Sequence, residues 1–142
     1  VGLVAACGGE PVPAPTTSLP AGAEVSPREY LADSAYGAAA VRRFVAVLDG
    51  LGPSLTAAEA RGAVPGLRDA AEDARLAWGR LSAARLEDTR LERQRRRVVP
   101  PLQRAVLAME SITTSAGLGR PSEVVAETAA LRAALEELAA AG

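Results

Sequence analysis

The sequence predicts an all-α fold, an up-and-down four-helix bundle preceded by a disordered, proline-rich tether. Three observations carry this expectation. Apolar residues recur in alternating steps of three and four through most of residues 28–142. Helix-start signals and Gly/Pro breaks divide that stretch into four. No run of β-branched and aromatic residues alternates with period two, so no strand is expected. The aromatics are only Tyr30, Tyr36, Phe44 and Trp78, which leaves a core of Leu, Val and Ala and favours closely approaching helices. A chain of 142 residues has room for one domain of ordinary size and a tail.

The first helix is announced by Ser26-Pro27-Arg28-Glu29: Ser at the N-cap, Pro at the first helical position and Glu three residues on, closing a capping box. It runs to about Asp49 with Leu31, Ser34, Ala38, Val41, Val45 and Leu48 as its seam, and Gly50-Leu51-Gly52-Pro53 stops it. Thr56-Ala57-Ala58-Glu59 is a second capping box. The helix it opens carries Ala60, Val64, Leu67, Ala71, Ala74, Trp78 and Leu81 on one face. That register crosses Pro65-Gly66 unbroken, which predicts a kink rather than a boundary.

Beyond Leu81 the stripe would meet Arg85 and Asp88, and the pattern fails. Two readings follow. In the first, Thr89-Arg90-Leu91-Glu92 is a third capping box and restarts the chain with the stripe Leu91, Arg95, Val98, Leu102, Ala105, Met109, Ile112 and Ala116. In the second, the second helix continues to Val99 and the third begins at Pro100-Pro101, since no Gly, Pro or Asn lies between 82 and 99. Phase and even helix lengths favour the first. Gly117-Leu118-Gly119-Arg120-Pro121 is the last break, with Ser122 as the expected N-cap. Val124, Thr128, Leu131, Leu135 and Leu138 form the last stripe. Short loops between four amphipathic helices give antiparallel neighbours.

Ahead of the helices, Gly8 to Ser26 carries prolines at 11, 13, 15 and 20, which remove backbone donors and oppose helix. Such a segment is a spacer with a reach of roughly 60 Å at about 3.1 Å per residue. It begins at Val4-Ala5-Ala6-Cys7-Gly8-Gly9, which contains the chain's one cysteine. An aliphatic residue, two small residues and a cysteine resemble the lipobox of bacterial lipoproteins. Small side chains let the extended backbone lie close to a peptidase, and a thiolate is the nucleophile a lipid donor needs. The resemblance implies a thioether-linked diacylglycerol on Cys7 as mature N-terminus, and hence membrane attachment by lipid on the extracytoplasmic face. Residues 1–6 are then the residue of a signal peptide, 7–27 the lipidated cysteine and linker, and 28–142 the helical domain. With no initiator Met and six residues before Cys7, the chain is read as beginning inside the apolar region of that signal.

All 16 basic residues are Arg, and Lys, His and Asn are absent, a usage that suggests a high-GC bacterial genome. A single Cys excludes an internal disulfide. No apolar run reaches the roughly 18 residues of a membrane span. Without His, neither a di-iron bundle site nor a His-based nucleophile system can be assembled, and with Cys7 lipidated no thiol remains. Glu72-Asp73 are adjacent on a helix and face different directions. No cofactor, no metal and no catalytic residues are expected, and the chain is read as not an enzyme.

The conspicuous polar feature is six arginines against the single Glu92 between positions 90 and 104. Arg90, Arg97 and Arg104 share an outer face, with Arg93 and Arg96 beside them. They are candidates for contact with anionic lipid headgroups, an acidic envelope polymer or an acidic envelope protein. The plain alternative is a solvated face paired with acids such as Glu123, Glu127, Glu136 and Glu137. Nucleic acid is not an expected partner, because the arginines share residues 28–142 with most of the acids and an exported protein is removed from DNA. Arg95 falls on the inward stripe and needs a carboxylate partner or a place at a bundle end. Phe44, Trp78 and Met109 are candidates for an apolar pocket, or for simple core filling. The expectation is a lipid-anchored, non-catalytic binding or interaction module at the bacterial cell envelope. The alternative is a helical carrier or sensor of a small apolar ligand.

Overall fold

The computed structural model describes residues 13–15 and 18–142. Val4–Cys7, and with it the lipobox reading, lies outside the described residues. The chain forms β1 (Ala23–Glu24), α1 (Pro27–Asp49), α2 (Ala57–Ala83), β2 (Ala84–Arg85), α3 (Thr89–Gly117) and α4 (Pro121–Ala141). The four helices make an up-and-down bundle. Each packs along its sequence neighbours, while α1 and α4 scarcely meet, leaving one seam of the bundle open.

Two helix starts follow the sequence signals. The Ser26 hydroxyl accepts from the Glu29 amide at 3.1 Å while the Glu29 carboxylate accepts from the Ser26 amide at 2.7 Å. Thr56 and Glu59 repeat the exchange for α2, at 3.1 and 2.9 Å. These reciprocal bonds satisfy amides that have no partner inside the helix. The second helix passes through Pro65 without a break and ends at Ala83, so the reading that restarts the chain near Thr89 is the observed one.

The other two starts differ from expectation. Asp88, not Thr89, caps α3: its carboxylate accepts from the Arg90 and Leu91 amides, each at 2.9 Å. Glu92 reaches past Thr89 to accept from the Leu86 amide at 3.1 Å. Arg120 rather than Ser122 precedes α4, because Pro121, with its fixed φ and missing N–H, takes the first helical position. The turn before it uses Gly119 at φ 65°. It is this left-handed backbone that calls for glycine; a Cβ there would lie 2.5 Å from the Arg61 guanidinium, the end of a flexible side chain that can swing aside.

The seam of α1 is also rotated from the expected one. The buried residues are Tyr30, Asp33, Tyr36, Gly37, Ala40, Val41 and Phe44, while Leu31 is 58% exposed and Ala38 lies outside. The aromatic rings take the interior because they remove the most apolar surface from water. At Gly37 α1 and α2 approach closely, a Cβ on it falling 3.0 Å from that of Ala77. The core as a whole is rich in alanine: Ala40, Ala60, Ala74, Ala77 and Ala105 have no accessible surface. The remaining bulk comes from Phe44, Leu67, Met109 and Ile112.

One strand pair appears where none was expected. β1 lies parallel to β2, pairing Ala23 with Ala84 and Glu24 with Arg85. The Gly22 amide donates to the Ala83 carbonyl at 2.7 Å and the Val25 amide to that of Arg85 at 3.0 Å. Val25, Ala84 and Leu86 are buried and join the core, with Leu19 packed against it. The stretch read as linker is therefore fastened to the domain from Leu19 onward. Two residues pairing across sixty positions leave no periodic signal, because parallel strands need a long crossover, here supplied by α1 and α2.

Candidate functional site

Antiparallel packing brings the start of α1, the end of α2, the start of α3 and the end of α4 to one end of the bundle, together with the β1–β2 ribbon. The arginine-rich turns of α3 are at that end. Their charges divide into two groups.

The first group is structural. Arg95 lies half-buried, its side chain 12% exposed. It grips the Glu92 carboxylate with two bonds of 2.9 and 2.8 Å, and its remaining arm donates to the Leu81 carbonyl at 3.0 Å. Leu81 is in the last turn of α2, where carbonyls lack helical partners. Arg96 adds a third guanidinium bond to Glu92 at 2.9 Å. Chiefly through the Arg95 bonds, opposed by burial and helped by Arg96 and the Leu86 amide, the Glu92 carboxyl is held down at about 2. Arg95 was expected inward, with a carboxylate partner or at a bundle end, and it has both. Arg104 pairs with Glu137 on α4. Arg96 and Arg104 thus follow the plain reading of a paired helix face.

Arg90, Arg93 and Arg97 do not. All three are exposed, and none of their guanidinium groups has a hydrogen-bond or ion-pair partner among the described residues. With Asp88, Leu91, Gln94 and Ala141 they surround a depression of about 510 Å³ at the bundle end. The Asp88 oxygen that caps α3 already accepts two amides. Arg90 and Arg93 also occupy the first turns of a helix, where its dipole disfavours cations.

Along the open seam between α1 and α4 runs an apolar groove of about 380 Å³, walled by Gly37, Ala38 and Val41 of α1, Val98 and Leu102 of α3 and Leu138 of α4. Tyr30 and Gln94 stand at its end, and Gln94 lines the arginine depression as well. A second depression of about 360 Å³ follows the same seam at the far end of the bundle, between Leu48, Leu55, Val124 and Val125. There Arg132 and Asp49, 3.5 Å apart and both exposed, bridge α4 to α1.

Phe44, Trp78 and Met109, candidates for a pocket or for core filling, lie apart from this groove. Phe44 and Met109 have no accessible surface and fill the core. Trp78 packs against the core with Arg75 5.9 Å from its ring centroid, and its indole N–H is buried without a partner. None of the three lines the groove. Open space arises where small residues leave it, on a face of α1 that binary patterning had assigned to the core.

Sequence reasoning also missed two inter-helix charge networks. Asp33 and Arg80, 5% and 9% exposed, form an ion pair of 2.9 Å between α1 and α2. Tyr36 donates to Asp73 at 2.6 Å, and Arg43 pairs with the other oxygen of that carboxylate at 2.6 Å. Burial, with the Asp73 bond second, pushes the Tyr36 phenol up to about 12. Burial works against the Asp73 charge, but the Tyr36 and Arg43 bonds outweigh it and hold the carboxyl below its usual range. Such a phenol stays protonated and the carboxylate stays engaged, so the trio braces two helices. Among the described residues no group of acids is arranged to hold a metal ion, and no helix is long and apolar enough to cross a membrane. No protein-family model matches the chain, and neither the curated proteins nor the solved structures compared with it give a match.

Proposed function

We propose that this chain is a lipid-anchored, extracytoplasmic, non-catalytic binding module of the bacterial cell envelope, held by Cys7 and turned with its arginine-rich end toward an anionic surface. One observation carries the orientation. The segment leading from Cys7 is fastened by Gly22–Val25 to the same bundle end that displays the guanidinium groups of Arg90, Arg93 and Arg97, which have no partner among the described residues. Eleven residues, 8–18, separate Cys7 from the docked Leu19, a reach of at most about 40 Å. A tether of that length keeps the arginines close to whatever holds the lipid. Near a surface rich in anionic lipid, each such arginine contributes on the order of 1 kcal/mol. The non-catalytic part rests on the absence of His and Lys and on carboxylates engaged in ion pairs between helices.

The test has two arms. The full-length gene product, expressed in its host with an alkyne fatty acid, should take up label as wild type and not as Cys7→Ser. Label on neither protein removes the anchor. The domain, sedimented with vesicles containing phosphatidylglycerol, should bind more tightly than to phosphatidylcholine alone. The triple variant R90S/R93S/R97S should lose about tenfold to a hundredfold of that preference at low salt. An unchanged preference removes the orientation.

A second reading, a carrier or sensor of a small apolar ligand, is favoured by the groove between α1 and α4. Its volume of about 380 Å³ falls within the range of small-molecule sites, roughly 300–1,000 Å³.

A further inference from the structure

We infer that the groove and the arginine depression form one binding site for a single-chain anionic amphiphile, its acyl chain along the α1/α4 seam and its headgroup on Arg90, Arg93 and Arg97. This rests on the carrier reading and names its ligand class. Continuity carries the argument. Gln94 and Gly142 line both cavities, and on α3 the exposed Arg90, Arg93 and Arg97 of the one are followed within about one turn by Val98 and Leu102 of the other. A helix rises about 1.5 Å per residue, so the change from charge to hydrocarbon occupies the span of a molecule rather than of a surface. The three cations have no partner among the described residues. The one acidic side chain lining the depression, Asp88, is engaged in capping.

The size of the groove limits the chain. Residues 30 to 42 of α1 flank it, which is about 18 Å of helix. Its volume of about 380 Å³, divided by the ~30 Å³ of a water-sized group, accommodates on the order of a dozen methylenes. Two chains would not fit. Largely apolar walls with three arginines grouped at one mouth match a ligand that is hydrophobic along its length and anionic at one end, while the single Arg42 borders the other end of the groove. An uncharged apolar ligand would leave the arginines without function, and a headgroup alone would leave the groove exposed.

The experiment displaces 11-(dansylamino)undecanoic acid from the folded domain, without vesicles and below micellar concentrations, using dodecanoate, dodecanol and dodecyltrimethylammonium. Dodecanoate should compete best, about tenfold better than the alcohol, as three exposed charge pairs yield. In R90S/R93S/R97S that advantage should vanish while dodecanol is unaffected. Ala38→Trp, at an exposed position on the groove wall, should abolish competition by both with helicity unchanged. If it does not fold, Gln94→Trp blocks the shared mouth instead. Equal binding of dodecanoate and dodecanol overturns the anionic site and leaves the carrier reading standing. Binding of neither, or binding untouched by filling the groove, overturns both.

Discussion

Glu92 gathers three contacts that fasten the turn between α2 and α3, and its replacement by Gln isolates what the charge contributes. Glutamine has the same shape and keeps one acceptor for the Leu86 amide or for Arg95. It removes the charge facing Arg95, whose side chain is 12% exposed, and Arg96. A carboxyl lowered from 4.5 to about 2 stabilises the fold by about 3 kcal/mol, at roughly 1.4 kcal/mol per tenfold change in proton affinity. Solvent around the exposed Arg96 reduces this to roughly 2. The sign follows from the direction. The folded value lies below the unfolded one, so the contribution is complete above about pH 4.5 and is lost as pH falls toward 2. In urea titrations followed by the fluorescence of Trp78, Glu92→Gln should cost about 2–3 kcal/mol at pH 7. At pH 3 less than half of that gap should remain, and near pH 2 only a few tenths. A gap that stays constant from pH 7 to pH 2.5 would refute the reasoning, because the loss would then come from shape and hydrogen bonding rather than charge.

Asp33→Ala should destabilise the domain by about 3–5 kcal/mol, since it leaves Arg80 in the interior without its carboxylate; replacing both by leucine and methionine should recover most of the loss, read by the same urea midpoints. Gly37→Ala should cost about 1–3 kcal/mol despite better helix propensity, because its Cβ would lie 3.0 Å from that of Ala77. Ala77→Gly in the same chain should restore it, whereas Gly62→Ala, in open space, should gain about 0.5–1 kcal/mol. Trp78→Phe should be close to neutral, the lost ring area offset by removing an indole N–H that costs about 1–3 kcal/mol when buried unpaired. Thermal unfolding followed by circular dichroism checks it, and a loss beyond about 2 kcal/mol would show that the indole has a partner.

The features legible in the sequence are those fixed within a few residues. Ser26 with Glu29, and Thr56 with Glu59, declare helix starts because both partners of each exchange lie three positions apart. The seam of α3 was readable because Leu102, Ala105, Met109, Ile112 and Ala116 repeat without competition. On α1 two stripes compete. Tyr30, Asp33, Gly37, Ala40 and Phe44 recur as regularly as Leu31, Ser34, Ala38, Val41 and Val45, and an acid in the first stripe argues against it. Only Arg80 on the facing helix makes Asp33 an interior residue.

The sequence by itself determined four helices, their order, the two capping boxes, the apolar spacing that makes them amphipathic and the concentration of arginine near the start of the third. Each is a local property, set by propensity, periodicity or covalent constraint. The tertiary structure decided which face of α1 turns inward and which arginines find carboxylates. It also decided that α1 and α4 stay apart. Those outcomes depend on the fit of side chains from different helices. A charge is paired or free, and a seam closed or open, only once the partner helix has taken its place.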